Sequence, residues 1–198
     1  SNIPTHEVNG VRIAYLGFTD SANGLSLPSD SDVILVRAAD ESLLQQRIYK
    51  AKETADVVIV SAHWGNEYTH EPTDAQRELA EKLAMWGADV IIGTHPHVIQ
   101  PVEYITNSDG RRTLVAYSLG NFIFDTDYQR AHLYTDMGVL LKLCFTEEKM
   151  DFEAMGIRIN REIERIEEAA LPDIFTNIPA EEYELLSPLS AKAFVVED

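Results

Sequence analysis

The chain has 198 residues, 45% of them hydrophobic, which is enough for one domain with a real core. Acidic residues outnumber basic ones, 33 to 16, for a formal net charge of −17. That balance argues against a nucleic-acid backbone as partner, because phosphate binding needs clustered Lys and Arg. No apolar run approaches the roughly 20 residues that span a bilayer, and no secretory leader is visible.

In chain order, "VRIAYLGF" (11–18) reads as a buried strand. Residues 21–36, rich in Ser, Asp, Gly and Pro, read as a long loop, with a short strand possible at "VILV" (33–36). Asp40 can cap a helix over 41–54, with Leu44, Ile48, Ala51 and Ala55 on one face. "DVVIVSAH" (56–63) is a β-branched run of the kind found in strands covered on both faces. Thr73 with Gln76 forms a capping box. The helix it starts carries Ala75, Leu79, Leu83 and Trp86 as an apolar stripe and stops at Gly87. "ADVIIG" (88–93) is the next buried strand. "VIQPVEYI" (98–105) and "RTLVAYSL" (112–119) read as a hairpin turning at 107–110, and 137–145 with 150–159 as a second pair. "REIERIEEAA" (161–170) suits either a helix or a strand. From Glu147 onward 14 acidic residues face 5 basic ones, and three prolines suggest an irregular wrap over 161–198 with a solvated acidic face. Cys144, the single cysteine, lies in an apolar run and reads as a small core residue.

The unit of strand 56–63, helix 74–87 and strand 88–93 is a βαβ crossover, so its strands run parallel and end at one edge of the sheet. Open α/β sheets bind ligands outside that edge. His63 is the last residue of the first strand, and His95 and His97 lie just past the second. Pro96 should hold His95 extended, and in extended chain residues two apart point the same way. Three imidazoles then converge, as a divalent metal requires. A lone histidine at a strand end is more often structural, so the argument rests on the triplet. Glu67, in "HWGNE", can act in proton transfer or orient a ligand, or be a solvated loop acid. Asn121, after Gly120, and Asp20, after strand 11–18, fall near the same edge. Trp64 reads as packing for the loop. His6, His70 and His132 read as surface residues.

At "SAHWGNEY", "GADVIIGTHPHVIQPVE" and "VAYSLGNFIFD" the sequence resembles the poly-γ-glutamate capsule-synthesis (CapA-type) family, itself similar to calcineurin-like metallophosphoesterases. The resemblance covers roughly residues 10–145. It implies an α/β fold, part of a four-layer α/β/β/α sandwich, with metal ligands at strand ends. His63, His95 and His97 match histidine ligands of a two-metal site, and Gly93 matches the glycine that lets the loop turn close to the metals. Glu67 and Asn121 match positions typical of the capsule family. The Gly-Asp and Asn-His motifs of the family's amino-terminal half do not occur in this chain. The chain is therefore expected to be the carboxy-terminal part of the family domain, with a core over about 10–160.

Two functions compete. One is a metal-dependent hydrolase using a divalent ion (Mn, Zn or Fe), with His63, Glu67 and His95 as catalytic residues. Its substrate would be a phosphoester or an amide bond of an anionic polyglutamate-like polymer. The other is a non-catalytic component of capsule polymer assembly or export. Either would act outside the bacterial cytoplasm, at the cell surface, by resemblance. Strand 11–18 looks too apolar to be a bare sheet edge. A missing amino-terminal half, or a second copy, is expected to cover it.

Overall fold

The computed structural model describes residues 3–122, 134–145, 150–160, 165–169, 174–176, 178 and 183–185. Strand β1 (Thr5–Val8) and strand β2 (Val11–Thr19) form an antiparallel hairpin. Its turn is Asn9-Gly10, both at positive φ (51° and 85°). A two-residue hairpin loop demands that backbone, and Asn-Gly supplies it at least cost. Helix α1 (Glu41–Lys52) follows, then β3 (Val57–His63), α2 (Asp74–Trp86) and β4 (Val90–Thr94). Strands β5 (Val102–Thr106) and β6 (Arg112–Ala116) form the expected hairpin. Strands β7 (Met137–Phe145) and β8 (Met150–Asn160) pair antiparallel along their length. Strand β9 (Arg165–Ala169) pairs with β8, so this part of "REIERIEEAA" is strand and not helix. Two short strands, β10 (Phe175–Thr176) and β11 (Tyr183–Leu185), complete the described chain.

Among the described residues the large sheet has seven strands in the order β1-β2-β3-β4-β6-β5-β10. Strands β2, β3, β4 and β6 are mutually parallel, so their carboxyl ends share one edge. The alternation along β4 and β6 is strict. Ile91, Val115 and Tyr117 join α1 and α2 in one core, while Val90, Leu114 and Ala116 pack against Val139, Phe152 and Ala154 of the second sheet. Burial on both faces is why these strands read as continuous apolar runs. Among the described residues the layers are α/β/β.

Several expectations need correction. Val33 and Ile34 are exposed and form no strand, while Val36 is buried in the core and Arg37 bridges to Thr19. Asp40 holds the N-cap position of α1 without a side-chain cap bond. The buried stripe of α2 is Gln76, Ala80, Leu83, Ala84 and Trp86, with Ala75 outside. The rotation follows from the capping box. Gln76 bonds back to the Thr73 backbone and also reaches inward to Gln100, so a polar residue occupies the core-facing position. Strand β1 pairs with Val11–Ala14, the first part of β2, and Thr19 at its end bridges to Arg37. The apolar surface left open beside β2 is a trough of about 890 Å³ between the sheets, lined by Ile13, Tyr15, Ile59, Leu141 and Phe145. Cys144 is half-buried at that trough, not in the core. His6 lies in β1, exposed. His132 and most of 161–198 lie outside the described residues.

Candidate metal centre

Thr19, His63 and Thr94 stand side by side across β2, β3 and β4, at their carboxyl ends. The βαβ unit therefore delivers His63 and the "HPH" loop to one place. The His63 and His95 rings lie 4.5 Å apart between centroids, and the His95 and His97 rings 6.1 Å apart. Donor atoms of Glu67, His95 and His97 all fall within 4.8 Å of one another.

The convergence is real, but extended backbone is not its cause. His95 and His97 both have positive φ, 98° and 60°. Proline biases the preceding residue away from the α region, which leaves more than one alternative. Non-glycine residues with positive φ are uncommon and gather at functional sites, where surrounding contacts over-determine them. Here those contacts are visible. The Trp64 backbone N–H donates to the Thr94 carbonyl (3.2 Å), and Tyr68 N–H donates to the Pro96 carbonyl (2.7 Å). Tyr68 itself sits at φ 62° and stacks on His97. The loop carrying Glu67 is thus stitched to the loop carrying the two histidines.

Two glutamines, neither of them anticipated, anchor the far side of that loop. Gln100 donates through Nε2 to the carbonyls of Thr69 (2.8 Å) and Glu71 (3.3 Å), and accepts from Gln76 Nε2 (3.0 Å). Both glutamines are about 98–99% buried, where an amide without partners would be costly. The sequence signal for Gln76 was the capping box; Gln100 had none. His70 is exposed, as expected, and its Nδ1 donates to the Ile99 carbonyl (3.0 Å).

Asn121 lies beside His97. Its amide Nδ2 donates to the carbonyls of His97 (3.1 Å) and Thr135 (2.8 Å). Its Oδ1 then faces His97 Nδ1 at 3.0 Å and must accept a proton from it, which puts the imidazole lone pair on Nε2. Glycine is required at two positions nearby. A Cβ on Gly93 would sit 1.8 Å from the Tyr117 carbonyl oxygen, and one on Gly120 would sit 2.5 Å from that of Met137. Trp64 is buried and its indole N–H donates to the Tyr117 carbonyl (2.9 Å), the packing role expected of it. Asp20 is exposed at the same edge, and its backbone N–H donates to the His63 carbonyl (2.8 Å).

His95 is the unusual member. Its Nδ1 is buried and has no hydrogen-bond partner among the described residues. Burial, and then the neighbouring His63 and His97, hold its pKa below the ordinary imidazole value; Glu67 and Asp20 pull the other way. A neutral imidazole with an orphaned nitrogen, facing other imidazoles and one carboxylate, suits a cation of the zinc or manganese type. These residues could hold one such ion. A two-metal clamp needs more carboxylates than Glu67.

The family described as "Bacterial capsule synthesis protein PGA_cap" matches residues 1–126. The chain belongs to this family. Among curated relatives, the PGA biosynthesis protein CapA of Bacillus subtilis is 43% identical over 129 residues, which is 65% of this chain and 32% of that protein. The capsule biosynthesis protein CapA of Bacillus anthracis is 39% identical over 133 residues, 65% of this chain and 31% of that one. The PGA_cap chain therefore spans about a third of the length of these relatives. Among solved structures, the Haemophilus influenzae NAD nucleotidase aligns over 88% of this chain and 38% of its own, with 13% identity and a TM-score of 0.45.

Proposed function

We infer that this PGA_cap chain carries the histidine side of a metal-dependent hydrolase site used in bacterial capsule synthesis at the cell surface. The observation that carries the reading is the gathering of donor atoms of Glu67, His95 and His97 within 4.8 Å of one another, beside a buried His95 Nδ1 that has no hydrogen-bond partner among the described residues. His63, His95 and His97 would hold the ion. A divalent cation bound there supplies Lewis acidity and lowers the pKa of water. The rest falls to the chain's own groups. Asn121 keeps the His97 lone pair on Nε2 by accepting from Nδ1. Glu67, exposed and on the same rim, accepts a proton from the attacking water and returns one to the leaving group. Substrate is an anionic phosphoester or an amide of a polyglutamate-like polymer. The chain carries a formal net charge of −17, and a cation at the site would reverse that sign locally for such a polymer. No helix among the described residues is long and apolar enough to cross a membrane.

A second reading has its own support. Glu67 is the one carboxylate in the donor group among the described residues, and it is exposed. A site so short of carboxylates suits a component that binds a metal and polymer without cleaving it. Turnover separates the two. An aryl phosphodiester and poly-γ-glutamate are each incubated with the chain and added manganese or zinc. The hydrolase reading expects metal-dependent cleavage of at least one, lost in His95→Ala. Metal uptake without cleavage of either supports the second reading.

A further inference from the structure

We propose that Thr19 is a positioning residue for His63, setting which ring nitrogen presents its lone pair to the metal site; the metal half of this rests on the function proposed above. The Thr19 hydroxyl touches two groups. It donates to the Ser21 carbonyl, and it lies 3.1 Å from His63 Nδ1. A carbonyl oxygen has no proton to give, so the hydroxyl proton is committed to Ser21. The contact with Nδ1 is then favourable only if Nδ1 carries the proton and Thr19 accepts it. That assigns neutral His63 to the Nδ1–H tautomer, with its lone pair on Nε2. Free imidazole side chains prefer the opposite form, so the protein selects the rarer one.

The fold holds Thr19 in place for this. It is the last residue of β2 and pairs directly with His63 across the parallel ladder. Its backbone is gripped on the other side by the Arg37 bridge, with Thr19 N–H to Val36 O and Ala38 N–H to Thr19 O both at 3.0 Å. Asp20 N–H closes the corner by donating to the His63 carbonyl (2.8 Å). Threonine is stiff at χ1, so little rotamer freedom is lost in aiming the hydroxyl. Asn121 does for His97 what Thr19 does for His63: each occupies Nδ1 and so places the lone pair of the neutral ring on Nε2. A hydrogen bond to the non-ligating nitrogen fixes ring orientation and raises ligand basicity, and its removal typically costs 10- to 100-fold in metal affinity.

The test has two readouts. Long-range proton–nitrogen correlation spectra of the metal-free chain at pH 8 report each histidine tautomer, with His63 identified by its loss in His63→Gln. The wild type should show His63 as Nδ1–H. Thr19→Val should move it toward Nε2–H while the His97 pattern stays, and Thr19→Ser should restore the wild-type form. If valine disturbs the strand, judged by a changed His97 pattern, Thr19→Ala carries the comparison. Calorimetric titration with manganese or zinc should then show about 10- to 100-fold weaker binding in the variant lacking the hydroxyl, with the serine variant close to wild type. A wild-type His63 already in the Nε2–H form, or a tautomer indifferent to the loss of the hydroxyl, overturns the assignment of Thr19. A chain that shows the tautomer effect but takes up no metal overturns the metal reading and leaves the assignment of Thr19 standing.

Discussion

Gly93→Ala should be among the most damaging single-methyl changes in this chain. Gly93 lies in β4, two residues before His95. The added Cβ would stand 1.8 Å from the Tyr117 carbonyl oxygen, 2.4 Å from its carbon and 2.6 Å from the Trp64 indole nitrogen. None of these is the far end of a flexible chain. Two are backbone, and the third is a buried ring whose N–H is bonded to that same carbonyl. Relief requires β4 and β6 to separate or Trp64 to leave. Overpacking of this kind costs typically 1–3 kcal/mol. Breaking the Trp64–Tyr117 bond inside the core leaves polar groups unsatisfied, at about 1–3 kcal/mol more. We expect a total of roughly 3 kcal/mol or greater. Urea unfolding followed by tryptophan fluorescence measures it, and Trp64 itself reports the disturbance. Gly17→Ala is the internal control. Its Cβ would meet only the Ser61 carbonyl at 3.7 Å, an ordinary contact. That change should be neutral, or stabilise by up to about 1 kcal/mol through the unfolded state. Equal effects at the two positions would refute the close-approach argument.

Other outcomes follow from the site. Asn121→Ala removes the acceptor at His97 Nδ1 and the amide that donates to the Thr135 carbonyl; it should cost about 1–3 kcal/mol by urea unfolding and weaken metal binding about 10- to 100-fold by calorimetry. The lowered pKa of His95 has a definite sign in stability: above its ordinary value of 6.5 the ring is neutral in both states, and as pH falls below that the unfolded chain binds a proton that the folded chain refuses. Stability should therefore drop as pH falls from about 6.5 and level off below the folded pKa. His95→Gln should remove that part of the slope in urea midpoints between pH 8 and pH 5; an unchanged slope means another group carries it.

The parallel frame was legible because its signals are physical and local. Val57–Val60 and Val90–Ile92 are unbroken apolar runs since both faces of β3 and β4 are covered, and the Thr73–Gln76 capping box marks the helix start by its own chemistry. From that frame the meeting of His63, His95 and His97 followed. Details decided by tertiary contacts were not legible. Proline's local rule left the His95 backbone open, and it is the Tyr68–Pro96 and Trp64–Thr94 hydrogen bonds that hold the loop at positive φ. Gln76 turns inward because Gln100, 24 residues on, awaits it. "VNGV" carries the signal of a hairpin turn, and the β1 it turns from pairs with Val11–Ala14 at the start of β2. "VILV" shows the reverse case: strand-like in sequence, it leaves Val33 and Ile34 exposed, and Val36 enters the core and meets β2 at Thr19.

The measurement that bears most directly on the metal centre is equilibrium binding of manganese and zinc to the wild-type chain beside His95→Ala. Ions are quantified after dialysis, and circular dichroism verifies that both proteins are folded. The account predicts about one ion per wild-type chain and its loss in the folded variant, since His95 belongs to the donor group with Glu67 and His97 and its buried Nδ1 has no hydrogen-bond partner among the described residues. A wild-type chain that takes up no ion, or a variant that takes up as much as the wild type, would contradict it.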